Sequence, residues 1–215
     1  MVKVMTGGGP NTEILLNRAE HGDEQALAQL FAKYRKRLRR MIQLRLDRRL
    51  QGRVDPSDVL QEAYIDLARR LPEYAEDRSF PFFLWLRLVT GQRLMHIHRR
   101  HLQTAMRDAT QEVSLYRGAM PQATSMSLAA NLIGRMTSVS EKAVRAEIQV
   151  KLQEALNAMD PIDREILVLR HFEELTNNEA AAALGIKKAA ASNRYVRALK
   201  RLKDTLSSIP GMLDH

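Results

Sequence analysis

The fold is decided by residues 175–201, which read LTNNEAAAALGIKKAAASNRYVRALKR. Thr176, followed three residues later by Glu179, is the capping-box pattern that begins a helix. Gly185 suits the left-handed conformation that ends a helix, and a second helix is predicted to begin at about Lys188. Two helices joined by a short turn with glycine form a helix-turn-helix, the motif that places its second helix in the major groove of DNA.

The second of these helices is predicted to have a buried side and a basic side. The buried side holds large apolar residues at steps of four, three and four, namely Tyr195, Leu199, Leu202 and Leu206. Residues near the N-terminal end of a recognition helix reach base edges, whereas later ones meet phosphates. The predicted base contacts are Lys188, Ser192, Asn193, Arg194 and Arg197, and the predicted phosphate contacts are Lys200 and Arg201. The alternative is a helical hairpin that packs on protein and leaves a solvated basic face.

Composition agrees with an all-α protein. The 215 residues are 45% hydrophobic and 27% charged but only 5% aromatic, which favours helices over barrels and sandwiches. Lysine and arginine outnumber the acids by 34 to 25, which gives a net charge of +9. This charge favours a polyanionic partner, and nucleic acid is favoured over an acidic membrane surface. The absence of cysteine excludes disulfides, thiolate zinc sites and cysteine nucleophiles. No apolar run reaches the about 20 residues of a membrane span and no apolar signal core begins the chain, so a cytoplasmic protein without membrane insertion is expected.

Charge is segregated along the chain. Residues 33–53 hold ten basic side chains and one acid, and residues 55–77 hold seven acids against two arginines. Residues 78–107 then carry six arginines without an acid, and residues 184–203 carry seven basic side chains without an acid. Basic surfaces beside acidic ones indicate more than one kind of partner, although a single charge run can also be a solvated helix face.

A helix in the acidic segment is predicted to present one face to solvent or to a partner. Asp55 and Pro56 have the pattern of an N-cap and a first-turn proline. The predicted buried stripe is Leu60, Ala63, Tyr64, Leu67 and Leu71, and the opposite face holds Asp58, Glu62, Ile65, Asp66 and Arg69.

The periodicity predicts two small helical domains joined by a linker. The first domain, 12–102, holds one helix from about Asp23 to Leu50, the helix after Asp55 that stops near Pro72, and a third that is apolar at its start and basic at its end. The second domain, 141–206, ends in the helix-turn-helix. The segment 103–140 is expected to be a linker with at most one short helix. Residues 1–11 are expected to be a flexible N-terminus, and residues 207–215 a tail.

Three motifs carry a resemblance to a known family. Asp58-Val59-Leu60-Gln61-Glu62-Ala63 resembles the signature helix of bacterial sigma factors, and the chain as a whole is similar to their extracytoplasmic-function (ECF) class. Phe82-x-x-Trp85-Leu86, followed by a basic helix, is similar to the promoter-melting segment of that family. Residues 175–198 are similar to its C-terminal helix-turn-helix. The resemblance implies a sigma region 2 in the first domain and a sigma region 4 in the second.

The resemblance implies a role for each predicted surface. Core RNA polymerase would bind Asp58, Val59, Gln61, Glu62 and Asp66, and the minus-ten promoter element would bind Arg87, Gln92, Arg93, His96, Arg99 and Arg100. The minus-thirty-five element would bind the recognition helix. Family members commonly carry Asn and Asp where Gln92 and His96 stand, and Arg-Ser where Ser192 and Asn193 stand, so the preferred promoter should differ. An anti-sigma factor is a further partner that the family implies.

Other functions are less well supported by the sequence. A free-standing regulator that binds duplex operators could use the same helix-turn-helix, but no dimerisation helix or ligand pocket is visible. An adaptor that binds only protein would leave the basic recognition helix unexplained. Catalytic motifs are absent from the sequence, and no cofactor is expected. Because His96, His98 and His101 do not converge on a helix, they predict no metal site, and Trp85 is expected to be core rather than a base-stacking platform.

Overall fold

The computed structural model describes residues 9–78, 80–102, 120–134 and 142–207, and the regular structure in these ranges is entirely helical. The all-α prediction is confirmed. The chain divides into two compact units between Pro121 and Gln122. None of the described helices combines the length and the hydropathy that a membrane span needs.

The described residues of the first unit form four helices and one short 3₁₀ turn. Its helices are α1 (Pro10–Glu20), α2 (Glu24–Arg45), α3 (Pro56–Glu76) and α4 (Phe82–His101), and the 3₁₀ turn is Arg48–Leu50. Helix α1 is absent from the sequence prediction and begins inside the segment 1–11 expected to be flexible. A proline in its first turn and the full burial of Leu16 explain why it forms.

Short-range capping sets the starts of α2 and α3. The Asp23 side chain accepts from the backbone N–H of Ala26, and the Asp55 side chain accepts from that of Ser57. Helix α2 ends at Arg45, earlier than predicted, because Asp47 caps the separate 3₁₀ turn.

Helix α3 continues through Pro72, where the sequence predicted its end. Tyr74, two residues later, is 2% exposed, donates a hydrogen bond of 2.8 Å to the Phe80 carbonyl and stacks on Trp85 with ring centroids 4.7 Å apart. Burial of this aromatic ring offsets the cost of an interior proline. Trp85 is core, as predicted.

The second unit contains the helix-turn-helix. Its elements are α5 (Ser125–Gly134), α6 (Lys142–Asn157), α7 (Pro161–Leu167), a π-helical segment (Val168–Phe172), α8 (Asn177–Leu184) and α9 (Lys188–Ser207). Helix α5 lies within the predicted linker but packs against α6 and buries Leu128 and Ala129, so the unit begins before the predicted residue 141. The other parts of that linker, 103–119 and 135–140, and most of the predicted tail, 208–215, lie outside the described residues.

Candidate nucleic-acid and protein interfaces

The helix-turn-helix forms as the sequence predicts. The Thr176 side chain accepts from the backbone N–H of Glu179, and the Glu179 side chain accepts in return from the backbone N–H of Thr176. Gly185 ends α8 with a φ of 63°, in the left-handed region that glycine adopts most readily. Helix α9 follows from Lys188.

Helix α9 is packed closely by alanines rather than by its large side chains. Ala191 and Ala198 are fully buried, whereas the predicted stripe of Tyr195, Leu199, Leu202 and Leu206 is half-buried. Tyr195 also hydrogen-bonds His171 at 2.9 Å. The small alanine side chains allow α9 to approach its neighbours closely, which fixes the direction of its outer face.

Arg194 and Arg197, which the sequence assigned to the DNA groove, are held by a buried carboxylate. Arg197 donates from Nε and Nη2 to Asp163 at 2.6 and 2.7 Å, and Arg194 donates from Nη1 to Asp163 at 2.7 Å. Asp163 is 0% exposed, so it needs these partners to remain charged. Both arginines therefore join α9 to α7, a role that the sequence analysis missed.

The charge state of Asp163 follows from this arrangement. Burial alone would raise the pKa of its carboxyl, but the hydrogen bonds from Arg197 and Arg194 outweigh burial and hold the pKa below its ordinary value. Asp163 is consequently ionised at neutral pH.

The outer face of α9 is formed by residues with less charge than predicted. Opposite the buried alanines lie the exposed side chains of Ala189, Asn193, Val196 and Lys200. Lys188, Ser192 and Arg201 are also exposed, and the Ser192 hydroxyl accepts from the Asn177 side-chain amide at 3.0 Å. Val196, 64% exposed, and Asn177 were not identified from the sequence.

Helix α4 exposes part of the predicted minus-ten set. His96, Arg99 and Arg100 are exposed, and Gln92 is partly exposed one turn before His96. Arg87 is only 7% exposed, so its assignment to DNA was wrong. It precedes the strongly basic end of the helix and lies on the side that packs into the unit.

Arg93 and Asp66, predicted to serve different partners, bind each other. Arg93 donates from Nε to Asp66 at 2.7 Å, makes a second hydrogen bond to it from Nη2, and approaches Glu62 from Nη1 at 3.4 Å. Gln92 accepts from Arg70 at 2.6 Å. The acidic side of α3 is therefore partly neutralised by α4 and is not a free anionic surface.

The exposed face of α3 borders an open groove. Val59, predicted to contact a partner, is 0% exposed and belongs to the core, because it shares a buried side with Ala63 and Leu67. Asp58 and Gln61 are exposed, and Ile65 is 51% exposed. The groove measures about 460 Å³ between α2 and α3, and its walls include Ala28, Phe31, Ala32, Gln61, Tyr64 and Ile65.

Phe31 and Tyr64 form the aromatic part of this groove. Their rings meet edge to face with centroids 5.1 Å apart. The sequence placed Tyr64 in the buried stripe of its helix, but both aromatic side chains remain partly exposed. A groove with an aromatic wall and a polar rim has the composition of a protein-docking surface.

The histidines of α4 point to different environments. His98 is 5% exposed and its Nε2 accepts from the Asp47 backbone N–H at 3.3 Å, whereas His96 is exposed. Burial lowers the pKa of His98 below its ordinary value, so it is neutral at pH 7. Among the described residues, no three side chains are grouped as metal ligands.

Comparison with known proteins gives one consistent likeness. The model of sigma-70 region 4 matches residues 149–202, which include α8 and α9 as far as Leu202. The chain is 27% identical over 202 residues to the ECF RNA polymerase sigma factor SigD of Mycobacterium tuberculosis (strain H37Rv), covering 94% of this chain and 87% of the relative. Along most of its length the chain is therefore similar to ECF sigma factors, and its C-terminal part matches the sigma-70 family.

Two further comparisons agree. The chain is 26% identical over 203 residues to the RNA polymerase sigma factor NccH of Alcaligenes xylosoxydans xylosoxydans, covering 91% of this chain and 95% of the relative. It shares its fold with CnrH, solved in complex with the cytosolic domain of CnrY, at a TM-score of 0.54 and 20% identity over 92% of this chain and 98% of that chain.

Proposed function

We propose that this protein is a sigma factor that binds core RNA polymerase, recognises the minus-ten and minus-thirty-five elements of promoters, and promotes melting of the DNA at the start site. The observation that carries the proposal is the exposed outer face of α9, the second helix of the helix-turn-helix that begins with the capped helix α8. The first unit acts as a sigma region 2 and the second as a sigma region 4. Two modest DNA contacts joined on one polymerase gain affinity through effective concentration.

The groove between α2 and α3 is the proposed polymerase site. Ile65 and the Phe31–Tyr64 pair supply apolar contact area, and Asp58 and Gln61 supply a polar rim. Glu62 contributes with the part of its carboxylate that Arg93 leaves accessible, since its side chain is 44% exposed. Asp66 serves instead to hold α4 in position against α3.

The exposed end of α4 is the proposed minus-ten site. Arg99 and Arg100 would contact phosphates of the non-template strand, because their exposed side chains can approach the backbone without a buried partner being lost. Gln92 and His96 lie one turn apart on the same side and would contact an unstacked base. Arg93 acts as a positioning residue through Asp66.

Replacing Arg99 and Arg100 together with alanine should weaken the binding of the polymerase holoenzyme to all promoter sequences by a similar factor, about tenfold. The reason is that phosphate contacts carry no base information. Filter binding to two unrelated promoters measures the effect. Loss at one promoter alone would assign these arginines to base recognition.

A gel shift with and without core polymerase tests the proposed function itself. A specific promoter complex should form only when core polymerase is present, and transcripts from the reconstituted holoenzyme should begin at a defined start site. Tight specific binding of duplex operators by the free protein, without directed transcription, would favour the free-standing regulator.

The proposal also gives the protein a compartment and a regulator. A promoter-recognition subunit acts in the cytoplasm, where the polymerase and the chromosome are. The likeness in fold to CnrH, solved with the cytosolic domain of CnrY, supports an additional protein partner that controls access to polymerase.

A further inference from the structure

The outer face of α9, which the sequence predicted to be basic, also presents an apolar side chain. Val196 is 64% exposed, on the same side of the helix as Asn193 and Lys200 and opposite the buried Ala198. A β-branched residue has no advantage at an exposed helix position. Its exposure leaves the side chain available for contact with a partner.

The arginines next to this face are poorly placed to read guanine. Recognition of guanine by arginine needs two N–H groups directed at O6 and N7. Arg197 directs Nε and Nη2 at Asp163, and Arg194 directs Nη1 at Asp160 and Asp163. Turning either side chain into the groove would remove a partner from a carboxylate that is fully buried.

The remaining outer residues match the edges of A·T base pairs. An asparagine amide pairs with N6 and N7 of adenine, and apolar side chains contact the C5-methyl group of thymine. Asn193 and Val196 are three residues apart, a rise of about 4.5 Å along the helix, which is close to the about 3.4 Å between stacked base pairs. The two side chains can therefore reach neighbouring pairs.

We propose that α9 reads two neighbouring A·T base pairs of the upstream element, with Asn193 on an adenine and Val196 on a thymine methyl group. This inference rests on the proposed function, because α9 must lie in the major groove. Arg194 and Arg197 position the helix, and Lys188, Lys200 and Arg201 contact the backbone.

Thymine-to-uracil exchange tests the methyl contact directly, since uracil lacks only the C5-methyl group. The full-length protein with core polymerase first selects binding sequences from promoter DNA randomised across the upstream element. The selected sequence is then remade with single dT to dU exchanges. One exchange should weaken holoenzyme binding about fourfold, the value of one buried methyl group, while the others have little effect.

Variant Val196→Ala should bind the unmodified promoter about as weakly as the wild type binds the dU promoter and should no longer distinguish dT from dU. Val150→Ala is the matched control, because Val150 is 55% exposed on α6 and should keep the wild-type response. Asn193→Ala should lose the preference for adenine at the neighbouring pair.

Three outcomes would overturn the inference while leaving the proposed function intact. In the first, the holoenzyme selects G·C pairs at the positions where Asn193→Ala and Val196→Ala change the preference. In the second, no dU exchange weakens binding of the wild-type holoenzyme. In the third, Val196→Ala still distinguishes dT from dU as the wild type does. Failure of the holoenzyme to select any promoter would instead overturn the proposed function. Circular dichroism of both valine variants checks that the fold is retained.

Discussion

Replacing Arg194 and Arg197 together with alanine is expected to lower the free energy of unfolding of the second unit by about 3–5 kcal/mol, the cost of leaving a buried charge without its partners. The carboxylate of Asp163 is fully buried, and these two guanidinium groups donate to it. Each single variant should cost less, about 1 kcal/mol, because the second arginine still donates and because Arg197 is half-exposed. The double variant should therefore lose more than the sum of the single losses.

Urea unfolding can assign this loss to the correct unit. Trp85 is the only tryptophan and lies in the first unit, so its fluorescence reports that unit, whereas circular dichroism reports the helices of both. The transition seen only by circular dichroism should move to lower urea, and the fluorescence transition should stay in place. Adding Asp163→Asn to the double variant should restore most of the lost free energy of unfolding, because the uncompensated charge is then removed.

The pH dependence of the free energy of unfolding should have opposite signs in the wild type and in the double variant. In the wild type the pKa of Asp163 is lowered, so its contribution to stability is present at neutral pH and is lost as the pH falls below about 4. Without the arginines, burial would raise that pKa, and the variant should gain stability relative to wild type as the pH falls from 7 towards 5. A difference independent of pH, or additive single losses, would contradict this account of Asp163.

The second large effect is expected at the groove of the first unit. Ile65→Glu should weaken binding to core polymerase about 30-fold to 1,000-fold, the range of an interface hot spot of about 2–4 kcal/mol. The introduced carboxylate would have to be desolvated beside Phe31 and Tyr64. Because Ile65 is already 51% exposed, the substitution should not destabilise the fold.

Ile14→Glu is the matched control for this experiment. Ile14 is 60% exposed on α1 of the same unit, so the change in charge and polarity is the same at a different surface. Affinity measured by fluorescence anisotropy of the labelled protein against core polymerase should be unchanged for Ile14→Glu. Equal losses in both variants would show that the groove has no special part in docking.

The features that could be predicted from the sequence are those that depend on residues close together in the chain. The caps at Asp23, Asp55, Asp160 and Thr176 each act on a backbone N–H within three residues, so their patterns are visible in the sequence. Apolar periodicity and the glycine at residue 185 complete the order of the helices. The all-α class, the helix-turn-helix and the resemblance to sigma factors follow from these local signals.

The candidate site was predicted less completely because its contacts join distant residues. Arg93 and Asp66 are 27 residues apart, and Arg197 and Asp163 are 34 apart. Periodicity shows which residues share a helix face but not which face a later helix covers. For this reason Val59 and Arg87 were assigned to partners although both are buried, and Val196 was overlooked among its charged neighbours.

The internal ion pairs have a consequence for how the protein exchanges ions with its solution. A guanidinium already neutralised by Asp66 or Asp163 displaces few condensed counterions when the protein meets a phosphate backbone. The number of cations released from promoter DNA should then depend on the number of basic side chains that are not paired with an acid of the protein itself. That number is smaller than the formal charge of the chain suggests. Promoter binding by this protein should accordingly tolerate changes in potassium concentration better than its basic composition implies.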